Sequence, residues 1–425
     1  MENSRRSAKS ADPVDTALRA FAQRLSGAPT RARPMLVAYS GGLDSSVLLH
    51  AAARVFGADA LVAVHVHHGL QPQADAWAQH CADQARALGV ECVCRRVRAV
   101  HGATDGAAEP ASTGDGLEAW ARRRRYAALE AVARARAAVA VLTAHHADDQ
   151  VETVLMRIAR GTGADGLTAM RAERPLSRSL PGVVLARPLL SLPRAVVRDY
   201  ARDHGLRWVE DPSNRDPRML RNAVRTQVLP ALDAVAPAFR THLLRTVAHV
   251  AVAADAARAR AQDDLMRAAG GTVHDGEGAA DPVVPGAVRR IDRRGLAGLG
   301  ADRQAAALRA WCAVLGVRPP TQARLDEMHR QLMEGRGPYG RVRHEGMLWT
   351  RYRDTIEVRP LSDVIDAAPA RDAGTGIDAG TGSGIGAGAR AGTAPRLLVL
   401  HWNGEPALPL PHTGGTLWVV PAGAH

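Results

Sequence analysis

The 425-residue sequence predicts an α/β fold, in which a Rossmann-like parallel sheet is followed by a mainly helical region and a small β-rich C-terminal segment. Three observations predict it. Apolar strand-like runs alternate with amphipathic stretches at helical spacing over residues 35–160, the pattern of βαβ units. Residues 236–365 turn helical and arginine-rich, and a glycine-rich stretch then precedes a tail with strand character. The length exceeds one comfortable core and suits two or three domains. With 46% apolar and 23% charged residues, the composition excludes full-length disorder, collagen and a small disulfide scaffold. Aromatics are only 4%, so Val, Leu and Ala must build the core.

In chain order, residues 1–30 read as an extension and a helix. Buried-strand candidates follow at Met35–Tyr39, Leu61–His65, Cys92–Val97 and Val139–Thr143. The helical stretches between and after them are Ser45–Val55, Ala74–Leu88, Leu117–Ala135 and Asp149–Arg160. Ligands of such a sheet bind at the C-terminal ends of its strands. Residues 101–116 are small and turn-rich and read as a surface insertion. The first domain is expected over 31–235 and a mainly helical one over 236–365. Within the second, Pro230–Ala268 and 289–334 are helical, Gly270–Pro285 is linker-like, and Gly346–Val358 alternates as a strand does. Residues 366–395 form a Gly/Ala-rich linker. The tail 396–425 carries strand signals at Leu397–Leu400 and Thr416–Val420.

Lys9 is the only lysine, so the net charge of +12 is carried by arginine. Composition bias accounts for Arg in place of Lys but not for the excess of base over acid. That excess favours a polyanionic partner, most simply nucleic acid. Met1–Ala20 has no apolar core of signal-peptide length, and no apolar run approaches a bilayer's thickness. The expectation is a cytoplasmic protein without a membrane partner. Cys81, Cys92, Cys94 and Cys312 form no C-x-x-C pair and no zinc-ligand spacing.

The most informative segment is Met35–His50, where a buried strand runs into Ser40-Gly41-Gly42-Leu43-Asp44-Ser45-Ser46 and then a helix. Paired glycines let the backbone turn sharply and approach a ligand. Their amides, with those of the first helical turn, make an anion cradle at the positive end of the helix dipole. Ser40 and Ser45 can add hydroxyl donors, and Asp44 can cap the helix or help hold Mg²⁺ on the phosphates. This is not the GxxxxGK[ST] loop, and no lysine stands near it. The S-G-G-x-D-S pattern is similar to the pyrophosphate loop (PP-loop) of N-type ATP pyrophosphatases. That resemblance implies ATP binding by Ser40, Gly41, Gly42, Leu43, Asp44 and Ser45, with cleavage between the α- and β-phosphates.

Four further segments narrow the reading. They are His65-Val66-His67-His68-Gly69-Leu70, the E-x-x-A-R-x-x-R-Y run from Glu118 to Tyr126, Thr143-Ala144-His145-His146-Ala147-Asp148-Asp149-Gln150-Val151-Glu152-Thr153, and Asp211-Pro212-Ser213-Asn214 with Arg221-Asn222 and Arg225. Together with the loop they resemble the tRNA(Ile)-lysidine synthases, over about 33–235 strongly and 289–360 more weakly. The chain departs from the usual pattern at Met219, where an aromatic is common.

The resemblance implies a carbon–nitrogen ligase. ATP adenylates the C2 carbonyl oxygen of the wobble cytidine in a CAU-anticodon tRNA(Ile), and the ε-amine of free L-lysine displaces AMP to give lysidine. The tRNA then reads AUA and accepts isoleucine. By matching position, Asp149 and Glu152, one helical turn apart, bind lysine beside the reacting centre. Asp44 and Arg122 act on the nucleotide, Arg122 offsetting charge that develops during adenylation. His145 makes a polar contact to nucleotide or base, and Arg221 and Arg225 contact tRNA or phosphate. Arg123 and Arg124 read as a solvated or phosphate-facing patch. His65, His67 and His68 fit a structural role, bonded to backbone carbonyls, at least as well. Ser213 and Asn214 are expected to fix the turn before Arg221. Trp311, Arg324, Trp349, Arg351 and Tyr352 are candidates for tRNA recognition, with core packing the competing reading for both tryptophans. A homodimer is compatible with the resemblance.

Two competitors remain at this level. A tRNA thiolase of the same superfamily would need paired cysteines or an iron–sulfur site, and Cys92 and Cys94 do not have that spacing. A non-catalytic nucleotide- or RNA-binding protein would release no pyrophosphate, and it gains little from carboxylates beside polyanions.

Overall fold

The computed structural model describes residues 12–25, 27–69, 72–97, 115–216, 218–270, 288–335, 337–363, 407–409 and 416–418. Most of the expected 101–116 insertion, the Gly270–Pro285 stretch, the 366–395 linker and the Leu397–Leu400 strand lie outside them. The chain divides into two compact units, Met1–Ala259 and Arg260–His425.

The first unit opens with α1 (Pro13–Ala22), whose N-cap Asp12 accepts from the Val14 amide. Next come β1 (Met35–Ala38), α2 (Leu43–Phe56), β2 (Leu61–His67), α3 (Ala74–Ala87) and β3 (Glu91–Arg96). They are followed by α4 (Asp115–Ala135), β4 (Ala140–Leu142), α5 (Ala147–Ala159), α6 (Ala164–Leu167), β5 (Glu173–Pro175) and β6 (Val184–Ala186). Helices α7 (Arg194–Asp203), α8 (Leu220–Ala223), α9 (Leu229–Val235) and α10 (Phe239–Ala268) complete the run, and α10 continues past the division between the units.

The sheet has the order β3-β2-β1-β4-β6-β5. All its pairs are parallel except β5 with β6. Met35 pairs with Leu61 on one side and Ala140 on the other. The chain therefore leaves β1 in opposite directions, and a crevice opens at the carboxyl ends of β1 and β4.

Alternation along the central strands builds both layers. Met35, Val37, Leu61, Ala63, Ala140 and Leu142 face the core shared with α1, α2, α3 and α7. Leu36, Val62, Val64 and Val141 face the opposite core with Leu129, Val132 and Ala133 of α4. A strand buried on both faces reads as a continuous apolar run, which is why β1, β2 and β4 are legible in the sequence. A third cluster packs Val151 and Met156 of α5 on Val224 and Leu229, with Phe239, Leu243 and Leu244 alongside. The expected boundary at 235 falls between α9 and α10, whereas the compact unit extends to Ala259. Arg171 and Arg258 tie this part of α10 to the unit through Asp255 and Asp165.

The second unit contains the end of α10, β7 (Arg290–Asp292), α11 (Arg294–Ala297), α12 (Ala301–Leu315), α13 (Gln322–His329), β8 (Tyr339–His344), β9 (Met347–Tyr352) and β10 (Thr355–Pro360). Its strands form an antiparallel sheet in the order β7-β10-β9-β8, so the region is helical on one layer and a sheet on the other. Trp311 and Trp349 are fully buried at its centre, ring centroids 4.9 Å apart in an edge-on pair. Core packing is thus what both tryptophans do. Arg351 is also buried, its Nε donating to the Gln331 carbonyl at 3.1 Å and Nη2 to that of Tyr339 at 3.0 Å. A short antiparallel pair, β11 (Ala407–Pro409) and β12 (Thr416–Trp418), stands in the tail.

Candidate active site

Loop and helix at the end of β1 form the first wall. Gly41 has φ +82°, a left-handed conformation that only glycine adopts without strain. A Cβ there would stand 2.8 Å from the Cys81 sulfur and 3.2 Å from Val209, so the backbone passes where no side chain fits. The Gly41 carbonyl accepts from the Val209 amide at 2.9 Å, which fixes the loop from outside. Gly42 is the N-cap of α2 and offers no side-chain cap, leaving first-turn amides open toward a ligand. The Ser40 and Ser45 hydroxyls lie 3.1 Å apart, and Ser45 donates to the Gly42 carbonyl at 3.0 Å. Asp44 sits in the first turn, and its Oδ1 is buried without a partner among the described residues. Its Oδ2 is 3.7 Å from Nε2 of His146.

The second wall is the start of α5. His146 is its N-cap: Nδ1 accepts from the Asp149 amide at 3.4 Å, and Asp149 returns a carboxylate to the His146 amide at 3.0 Å. This reciprocal cap satisfies two orphan amides and leaves the His146 proton on Nε2, toward Asp44. Burial disfavours the imidazolium, yet Asp44, Asp149 and Asp148 outweigh it and raise the His146 pKa.

Glu152, one turn on, is 2% exposed in its side chain. Arg225 grips both its oxygens, Nε to Oε1 at 2.6 Å and Nη2 to Oε2 at 3.0 Å. Arg225 also lies 3.7 Å from Asp149, and Arg221 lies 3.9 Å from Glu152. Arg225 belongs to a π-helical turn, Val224–Val228, that continues α8. The Asn222 side chain anchors this segment by donating to the carbonyls of Ser213 and Asp216 at 3.0 and 2.9 Å. The turn is thus held by Asn222, with Asp211 bonding the Ser213 amide at 2.8 Å. Asp148, Glu152, Arg194, Arg198, Arg225 and Arg240 border an adjoining cleft of about 360 Å³.

His145, three residues beyond the end of β4, lies on the third side. Its Nδ1 is 3.0 Å from the Thr143 hydroxyl, which donates to the Ala186 carbonyl at 3.3 Å. Burial, then Arg187, Arg122, Arg221 and Arg125, hold its pKa well below 6.5, so the ring is neutral near pH 7. Arg122 projects from α4 with its guanidinium 5.1 Å from the Tyr126 ring centroid, and Arg174 covers the same ring at 5.5 Å.

Sequence reasoning missed Arg187. It follows β6, is 4% exposed, and donates to the Arg171 carbonyl at 2.6 Å. Its only sequence signal is position: a strand of three residues gives little periodicity to find. His65 takes the structural role, with Nδ1 3.0 Å from the Tyr39 carbonyl and 3.3 Å from the Cys81 sulfur. His67 lies 3.2 Å from Asp75, and burial beside Arg125 and two histidines lowers His68 to about 4.

A glycine loop at a helix N-terminus, a carboxylate beside it and a second acidic pair thus meet at one topological switch point. Fold and site define a PP-loop nucleotide-binding protein, and residues 14–232 match the family model of the PP-loop domain. Residues 292–356 match the TilS substrate binding domain. The tRNA(Ile)-lysidine synthase of Burkholderia pseudomallei is 40% identical over 398 residues, 92% of this chain and 75% of that protein. Those of Ralstonia nicotianae (44% over 332 residues; 77% of this chain, 64% of that one) and Alkalilimnicola ehrlichii (42% over 331; 76% and 66%) are similar. The chain belongs to the tRNA(Ile)-lysidine synthase family.

Proposed function

We propose that the protein ligates L-lysine to C2 of the wobble cytidine of CAU-anticodon tRNA(Ile), through an adenylated tRNA, with release of pyrophosphate and AMP. The convergence of the Gly41–Gly42 loop and the Asp149/Glu152 pair on one crevice carries the reading. In the first step the C2 carbonyl oxygen attacks the α-phosphorus and pyrophosphate departs. Backbone amides of the glycine turn and the first turn of α2 receive its charge, and Arg122 offsets charge on the reacting phosphoryl group. Asp44 suits Mg²⁺, because its buried Oδ1 lacks a partner and Mg²⁺ takes one or two carboxylates and completes its shell with phosphates and water. Bound there, the ion would neutralise phosphate charge.

In the second step the lysine ε-amine attacks C2 and AMP leaves with the adenylated oxygen. Asp149 and Glu152 supply negative charge for the amine and can accept its proton. Arg225 fixes the Glu152 carboxylate by two hydrogen bonds, and we assign it, with Arg221, to tRNA or phosphate contact. The second unit takes part in tRNA recognition. Among the described residues no helix is long and apolar enough to cross a membrane. We propose a cytoplasmic site of action on the separate ground that tRNA and free lysine meet there.

The test mixes purified protein with ATP, Mg²⁺, labelled lysine and an unmodified CAU-anticodon tRNA(Ile) transcript. Lysine enters the RNA only with ATP present, and nuclease digestion locates it at the wobble position. ATP-independent labelling, or none by a folded preparation, contradicts the proposal.

A further inference from the structure

The protonation of His145 can be read from its neighbours. The Ala186 carbonyl accepts from the Thr143 amide at 2.9 Å and from the Thr143 hydroxyl at 3.3 Å. With the hydroxyl proton so placed, a lone pair of Thr143 Oγ1 faces His145, and the imidazole makes the 3.0 Å contact by donating through Nδ1. Nε2 is then a bare acceptor. Thr143 is buried, and the parallel pairing of Leu142 with Ala186 fixes it beside that carbonyl.

The surroundings select what this acceptor can meet. Arg187, Arg122, Arg221 and Arg125 all act on His145 as positive charges. Among the described residues no carboxylate reaches ion-pair distance of Arg187. An ammonium would be repelled from this corner and drawn to Asp149 and Glu152. A neutral N–H donor attached to a polyanion fits instead. Cytosine carries one in its exocyclic amino group, where uracil has an acceptor.

We infer that His145 Nε2 accepts a hydrogen bond from the 4-amino group of the wobble cytidine and thereby determines cytidine specificity, with Thr143 as the positioning residue that keeps Nε2 free. This rests on the ligation proposed above. A uridine at that position sets its O4 lone pairs against the Nε2 lone pair. The contact is lost and both acceptors are left unpaired.

The experiment compares three transcripts that differ only at the wobble position: cytidine, uridine, and a pyrimidin-2-one nucleoside lacking the 4-amino group. Lysine incorporation gives kcat/KM for wild type, His145→Phe and Thr143→Val. Wild type favours cytidine over the pyrimidin-2-one by at least about 10-fold, one hydrogen bond to the acceptor adding to what the 4-amino group itself gives to the nucleophilicity of O2. In His145→Phe the ratio falls about 10-fold toward the intrinsic difference between the two bases, and in Thr143→Val it falls part of the way, because the ring loses its tautomer lock. ATP binding and melting temperature establish that each variant is folded. If His145→Phe is unfolded, the wild-type ratio and His145→Gln, whose side chain can still accept, decide. An unchanged ratio in folded His145→Phe, a wild-type ratio near 1, or no ratio loss in Thr143→Val overturns the inference. Failure of wild type on the cytidine transcript instead strikes the ligation itself.

Discussion

A carboxylate oxygen buried without a partner is costly unless a ligand supplies one, and Asp44 Oδ1 is such an atom. Asp44→Ala is therefore expected to abolish lysine incorporation while leaving the melting temperature within a few degrees. Retained incorporation would remove Asp44 from the site. Gly41→Ala combines a left-handed backbone with a Cβ 2.8 Å from buried Cys81. It should cost about 1–2 kcal/mol from the backbone alone and raise the KM for ATP. His145 supplies a pH test. Its pKa is depressed in the fold, so its contribution is complete above about 6.5, the unfolded value, and declines as pH falls below it. Unfolding then takes up one additional proton in that window. The pH slope of stability should flatten by about one proton in His145→Phe, and an unchanged slope would place the imidazole in water.

At the scale of elements, burial on both faces made β1, β2 and β4 legible and the loop after β1 recognisable, whereas β3 is a largely exposed edge strand. The expected strands Met35–Tyr39 and Val139–Thr143 differ from the observed Met35–Ala38 and Ala140–Leu142 by one residue at an end or at both. The helices agree to within a residue or two at most ends because Gly57 and the His146–Asp149 cap mark their limits. Strands β5 and β6 escaped notice at three residues each. Strand β8 reads Tyr-Gly-Arg-Val-Arg-His, where arginines and a glycine occupy positions a sheet usually fills with apolar side chains. Gly340 is there because a Cβ would meet the Gln331 carbonyl at 2.2 Å. That Asp149 and Glu152 share one face of α5 was legible from their one-turn spacing. Their grip by Arg225 was not, since the partners are 73 residues apart in the chain for Glu152. Arg225→Gln should lower incorporation by at least about tenfold by releasing Glu152, measured as kcat/KM for lysine. An unchanged value would make the pair irrelevant to the amine.

Over the whole molecule, 55 basic residues against 43 acidic ones favour a polyanion. Arg123 is exposed on α4 beside the site. Arg123→Ala should weaken tRNA binding a few-fold and make the slope of log Kd against log salt shallower by about 0.7–0.9, the signature of one phosphate contact. ATP affinity should hold. The phosphate loop and the acidic pair bear jointly on one quantity, the fate of the nucleotide. Nucleotide products and RNA-bound lysine should therefore be counted in the same reaction, with ATP, lysine and the CAU transcript. The account predicts one AMP and one pyrophosphate for each lysine incorporated. Release of ADP and inorganic phosphate, or lysine transfer without AMP, would contradict it.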